Sequence, residues 1–155
     1  MAPNESEVRE SVRAVVVHDG KLLVMKRNRF GQEFYSLVGG GIDYGEAPEA
    51  ALIREVQEEA SLVIDHARLL AIQEGPKFGK QYIYAAEYVS GEPLLDAASE
   101  EAAAQQAGQN LYQPMWLSIE DLPAANLLPI ELKAFLIAGL ENGFPTTVQT
   151  LTASE

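Results

Sequence analysis

From Ser11 the chain reads VRAVVV and runs into His18-Asp19-Gly20-Lys21. Asp-Gly between two apolar runs predicts a hairpin, with KLLVMKRN at 21 to 28 as the return strand. A basic loop, Arg27-Asn28-Arg29-Phe30-Gly31, and a short strand near 33 to 38 follow, then a glycine turn at 39 to 41 in front of a helix. Over 47 to 61 the period changes. Leu52, Ile53, Val56 and Ala60 fall on one arc at helical spacing, and Pro48 stands in the first turn, where its missing N–H costs nothing. Two β segments come next, 62 to 73 and 81 to 89, joined at 74 to 80 by EGPKFGK, a candidate rim for a substrate pocket. Residues 90 to 110 are rich in Ala, Gln and Glu without β-branched residues, which predicts a long loop or a short loose helix. A last strand at 111 to 118 has Trp116 at its centre. A turn at 119 to 123 leads to an amphipathic helix at 129 to 142, ending before Gly143. With no internal repeat and no long linker, 11 to 142 reads as a single domain, 1 to 10 as a flexible segment and 143 to 155 as a polar tail. Strands on either side of a central helix, followed by a terminal helix, predict the α/β class: an α/β/α sandwich with a mixed β-sheet.

Composition narrows the chemistry. At 155 residues the chain can bury a core without disulfides, and having no cysteine it has no thiolate metal site and no thiol catalysis. The amino-terminal stretch lacks a positive region followed by a long apolar one, and no run approaches the ~18 residues of a membrane span. The expectation is a soluble, cytoplasmic protein with no membrane partner. A net charge of -12 argues against stable nucleic-acid binding, which needs clustered Lys and Arg. It suits either cation binding or plain solubility, so the positions of the acids must decide.

Those positions are specific. On the central helix Glu55, Glu58 and Glu59 stand at i, i+3 and i+4 and point into one narrow sector. Three anions that close repel at roughly 2 to 3 kcal/mol per pair for ~6 Å spacing and an effective dielectric near 20. A divalent cation reverses that sign. Oxygen-only donors on a helix suit a hard ion, Mg²⁺ or Mn²⁺, that bridges to phosphate.

Gly40, five residues, Glu46, seven residues, then Arg54-Glu55-Val56-Gln57-Glu58-Glu59-Ala60-Ser61-Leu62 resembles the box of the Nudix hydrolases. That motif reads G, five residues, E, seven residues, R-E-U-x-E-E-x-G-U, U being a bulky aliphatic. Every charged position agrees. Ser61 departs from it, standing where the family has glycine, which predicts a differently shaped helix exit. Val38 replaces the proline often found before the paired glycines. The resemblance implies a Nudix-type α/β/α sandwich laid over 11 to 142. It also implies metal-dependent hydrolysis, by water attack at phosphorus, of the diphosphate linkage in a nucleoside diphosphate joined to another moiety. It casts Glu55, Glu58 and Glu59, with the Gly39 carbonyl, as ligands of Mg²⁺ or Mn²⁺. Glu55 or Glu58 stands near the attacking water, and Arg54 orients Glu55 or pairs with Glu46. In parts of the family a downstream carboxylate acts as ligand or base; Glu100 and Glu101 are the candidates, with Glu120 behind them.

Outside the box the chain is less specific. Lys26, Arg27 and Arg29 read equally as phosphate contacts or as a solvated strand end. Tyr35, Phe78, Tyr82 and Tyr84 read as base-stacking residues or as core aromatics, and His18 and His66 as solvated turn residues. Pro76 sits where some ADP-ribose pyrophosphatases of the family carry a proline; nucleoside triphosphates and nucleotide sugars are the other substrate classes. The rival function is a domain of this family that binds a nucleotide or a protein without hydrolysis. Many relatives dimerise, and a homodimer is compatible with this chain.

Overall fold

The computed structural model describes residues 10–76, 78–94 and 110–153. Strands β1 (Glu10–His18) and β2 (Lys21–Arg29) form the expected hairpin. Its two turn residues, Asp19 (φ 53°) and Gly20 (φ 73°), both take the positive φ that a tight two-residue hairpin requires. Next come β3 (Gln32–Ser36), β4 (Val38–Gly41) and helix α1 (Pro48–Ala60). Then follow β5 (Val63–Gly75), β6 (Phe78–Ser90), β7 (Asn110–Ser118), a 3₁₀ turn (Ile119–Ala124), helix α2 (Ile130–Asn142) and β8 (Gln149–Thr152).

Strand β1 is the central strand shared by the two halves of a divided, mixed sheet. Residues 11 to 14 pair antiparallel with β4, while 10 to 16 pair in parallel with β6. Only Val17 and His18 remain for β2, which pairs along its length with β3 and β7. Beyond β6 lie β5, antiparallel, and β8, parallel to β5.

Alternation along the strands splits the core in two. Val12, Ala14, Val16, Leu23 and Met25 join Leu52, Val56 and Ala60 beneath α1. Val15, Leu22, Val24, Leu37 and Ile83 join Leu132 and Leu136 beneath α2. Each fully buried Leu or Val contributes roughly 1.5–3 kcal/mol, so both helices are held by their apolar sides and the α/β/α sandwich stands.

Four sequence expectations change. The 143 to 155 segment contains strand β8, and Ala153 is buried with its N–H on the Glu74 carbonyl at 2.8 Å. Gln149 and Leu151 are half-buried and Thr150 and Thr152 exposed, an alternation in a parallel pairing that only the distant β5 edge makes possible. The joining loop at 74 to 80 is mostly strand, because β5 and β6 pair as far as Gly75–Phe78. Arg27 and Arg29 lie in β2, not in a loop. The three glycines form β4 rather than an open turn. Of the 90 to 110 stretch, residues 95 to 109 lie outside the described residues, Glu100 and Glu101 among them.

Candidate active site

Strand β4 lies against both β1 and α1, and glycine makes that approach possible. A Cβ at Gly39 would run into the Val12 carbonyl, and one at Gly40 into the Glu55 carboxylate. Gly45, at φ 81°, then turns the chain, and the Glu46 N–H donates to the Asp43 carbonyl at 2.9 Å. No side chain caps α1. Glu46 instead folds back, accepting the Asp43 N–H at 3.0 Å.

Arg54 is the centre of the site. Its Nε and Nη2 donate to the two oxygens of Glu46 at 2.9 and 2.8 Å. Its Nη1 donates to Glu55 Oε1 at 2.8 Å and to Glu58 Oε2 at 3.2 Å, and Nη2 also reaches the Gly41 carbonyl at 3.1 Å. Asp43 stands 3.5 Å from Nη2. The Arg54 bonds, then the Asp43 amide, lower the Glu46 pKa from 4.5 to about 2. Reciprocally, Glu46 foremost, and then Glu55, hold the guanidinium charged more firmly than usual against the opposing effect of burial.

The three helix carboxylates differ in setting. Glu59 is buried at 6% exposure, and its Oε1 accepts the Gly39 N–H at a long 3.4 Å. The Glu55 side chain is 12% exposed and the Glu58 side chain 46%. The single sector expected from helical spacing is therefore divided: Glu55 and Glu58 turn to Arg54, and Glu59 turns under the helix to β4. Among the described residues no three Asp, Glu, His or Cys side chains converge closely enough to hold a metal ion. Arg54 supplies the countercharge in that arrangement. The donors still suit a hard divalent cation: oxygen ligands only, three carboxylates on one helix, and a glycine cradle that leaves room for the Glu55 carboxylate. Ile53, placed by spacing on the apolar arc, is 46% exposed, while Glu59 and Ala51 take the buried side.

Other sequence candidates separate by face. Arg27 continues the face of Leu23 and Met25 toward α1, where it lies across the rings of Phe34 (5.3 Å) and Tyr112 (4.5 Å) and donates to the Tyr112 hydroxyl at 2.9 Å. Its Nε is buried without a partner. Arg29, two residues on, is exposed. Tyr82 packs at the α1 core and donates to Glu10 at 2.9 Å. Tyr84 is buried beneath α1, and burial first, then Glu49, pushes its hydroxyl up to about 12. Tyr35 is a correction: it packs on the opposite core beneath α2, away from the glutamates, because it pairs with Lys26 on the reverse face of β2. Glu120 lies in the 3₁₀ turn packed on α2 and is not brought to α1. The Phe78 backbone opposes Gly75 in the hairpin. His18 is more than a solvated turn residue, since it stacks on Tyr88 at 4.0 Å beside Trp116. His66 lies in β5 with its ring largely exposed. Sequence reading missed Phe34, Tyr112 and Asp43. Only Asp43, three residues before Glu46, carried a local signal; the aromatic pair exists through the register of β2 with β3 and β7.

The model of the NUDIX domain matches residues 8–136. The NAD-capped RNA hydrolase NudC of Escherichia coli O157:H7 is 26% identical over 125 residues, 79% of this chain and 43% of that protein. The chain thus spans less than half the length of this curated relative. A MutT NUDIX hydrolase from Burkholderia pseudomallei superposes with a TM-score of 0.59 at 27% identity, covering 76% of this chain and 88% of that one. An ADP-ribose pyrophosphatase from Streptococcus suis 89-1591 superposes with a TM-score of 0.65 at 19% identity, covering 92% and 98%, a likeness of fold.

Proposed function

From the premise that the chain belongs to the Nudix family, we propose that it is a pyrophosphohydrolase that splits the diphosphate linkage of a nucleoside diphosphate derivative. The observation that carries this is Arg54 gathering Glu46, Glu55 and Glu58 beside the Gly39–Gly41 strand. Members of the family generally use divalent metals. Mg²⁺ or Mn²⁺, held by Glu55, Glu58, Glu59 and the Gly39 carbonyl, would neutralise diphosphate charge and lower the pKa of a bound water. The chain's own groups do the rest. Glu46 fixes Arg54, Arg54 orients Glu55 and Glu58, and one of these two takes the proton as water oxygen attacks phosphorus and the bridging P–O bond breaks. Arg27, steadied by Phe34 and Tyr112, with Arg29 and Tyr82, belongs to the substrate side.

The test is a panel of nucleoside triphosphates, ADP-ribose, dinucleotides and nucleotide sugars, scored by product. Turnover is expected only with Mg²⁺ or Mn²⁺, and Glu58→Gln loses most of it. Tight binding of one nucleotide with no turnover of any panel member would replace this reading with a binding module.

A further inference from the structure

Ser61 occupies the left-handed region at the end of α1, with φ 58° and ψ 30°, a conformation that favours glycine and, after it, asparagine over serine. Its N–H closes the helix on the Gln57 carbonyl at 3.0 Å. Its hydroxyl leaves the helix and donates to the Leu94 carbonyl at 2.5 Å, while the Leu94 N–H returns to the Ala60 carbonyl at 3.0 Å. A reciprocal pair of bonds thus clips the stretch after β6 across the last turn of α1. Further contacts converge there. Tyr88 donates to the Gly91 carbonyl at 2.8 Å, and Gly91, at φ 105°, passes so close that a Cβ would meet the Ser61 carbonyl. The Leu94 side chain is exposed. Hydrogen bonds rather than apolar burial therefore hold this strap.

We propose that Ser61 is a positioning residue for the carboxylates of α1. The clipped turn is the one that carries Glu58 and Glu59. Glu59 reaches the Gly39 amide at a long 3.4 Å, a separation that the position of this turn sets. A glycine at 61 would relax the backbone yet leave the Leu94 carbonyl without its donor. The serine accepts local strain and in exchange ties the helix end to the sheet through β6. The inference rests on the reading of Glu58 and Glu59 as cation ligands.

The test compares the parent with Ser61→Gly and Ser61→Asn. Mn²⁺ binding is read by electron paramagnetic resonance, with Glu58→Gln marking the site, and the Leu94 amide is followed by hydrogen exchange. Ser61→Gly is expected to melt no lower than the parent. Its Leu94 amide should exchange about tenfold faster and its Mn²⁺ affinity fall about fivefold, the scale of one lost hydrogen bond. Its kcat should drop at limiting Mn²⁺ and recover at saturation, with the KM for nucleotide unchanged. Asparagine tolerates the left-handed conformation and restores a side-chain donor, so it should recover much of the affinity. A Ser61→Gly protein whose Mn²⁺ affinity or Leu94 exchange equals the parent's overturns the inference and leaves the metal reading intact. A parent that binds Mn²⁺ no better than Glu58→Gln overturns both.

Discussion

Arg54 grips Glu46 through two parallel bonds, Nε to Oε2 at 2.9 Å and Nη2 to Oε1 at 2.8 Å. This bidentate pair ties the turn before α1 to the helix's second turn. It leaves Nη1 free of Glu46, and Nη1 is the nitrogen that meets Glu55 and Glu58.

Arg54→Lys should therefore be a severe change despite conserving charge. One ammonium cannot span Glu46, Glu55 and Glu58 in a fixed fork. A fall in kcat of about 100-fold is expected, the scale of a misplaced reacting group, with the fold intact by circular dichroism. Retention of most activity in Arg54→Lys would show that charge alone suffices.

The Glu46 pKa sets a pH window. It is lowered in the fold to about 2 from 4.5, so its stabilising contribution is fully present above about pH 5 and is lost as pH falls from 4.5 through 2. Melting temperatures of the parent and Glu46→Gln should differ by a constant amount from pH 5 to 7 and converge below 4.5. A gap that widens in acid would contradict the pairing.

Gly39 and Gly40 should fail in different ways. A Cβ at Gly39 meets the Val12 backbone, which has nowhere to go, so Gly39→Ala should lose about 1–3 kcal/mol of stability or more. At Gly40 the obstacle is the end of the Glu55 side chain, which swings aside at little cost. Gly40→Ala should melt near the parent temperature and lose activity instead. Denaturant titration and turnover, measured on both variants, separate the two.

The two faces of β2 and β3 predict another contrast. Arg27→Ala should raise the KM of the best substrate, since Arg27 lies toward α1. Tyr35→Ala should lower stability by about 2–4 kcal/mol and leave KM unchanged, because its ring packs in the α2 core. A KM effect from Tyr35 would place substrate on the wrong face.

Removing β8 tests the last strand. A chain ending at residue 148 loses the pairing of 149–152 with β5 and uncovers that edge. A loss of about 1–3 kcal/mol in urea is expected from the missing bonds and the exposed Ala71 and Gln73 neighbourhood. An unchanged midpoint would make the strand incidental.

Much of this was legible because it is local. The Asp19-Gly20 turn, the alternation of β1 and β2, Pro48 at the start of α1 and Gly143 at the end of α2 depend on residues a few positions apart. Glu46, Arg54, Glu55, Glu58 and Glu59 were readable by spacing on the same grounds, and so was the family they resemble. The split of Glu59 from its two neighbours was not. It depends on Gly39, 20 residues away, offering an amide from a strand that hydropathy reads as a turn.

The sequence by itself determined the α/β class, the two helices, and the residue types that suit a divalent cation and a diphosphate. Tertiary structure alone decided which face each strand residue serves, that Arg54 holds Glu46, Glu55 and Glu58 at once while Glu59 turns to β4, and that a polar Thr-rich ending forms an edge strand. The physical reason is that periodicity encodes a residue's own face, whereas pairing partners are chosen among strands far apart in the chain. Arg27 and Tyr112, 85 residues apart, meet only when β2 and β7 are in register.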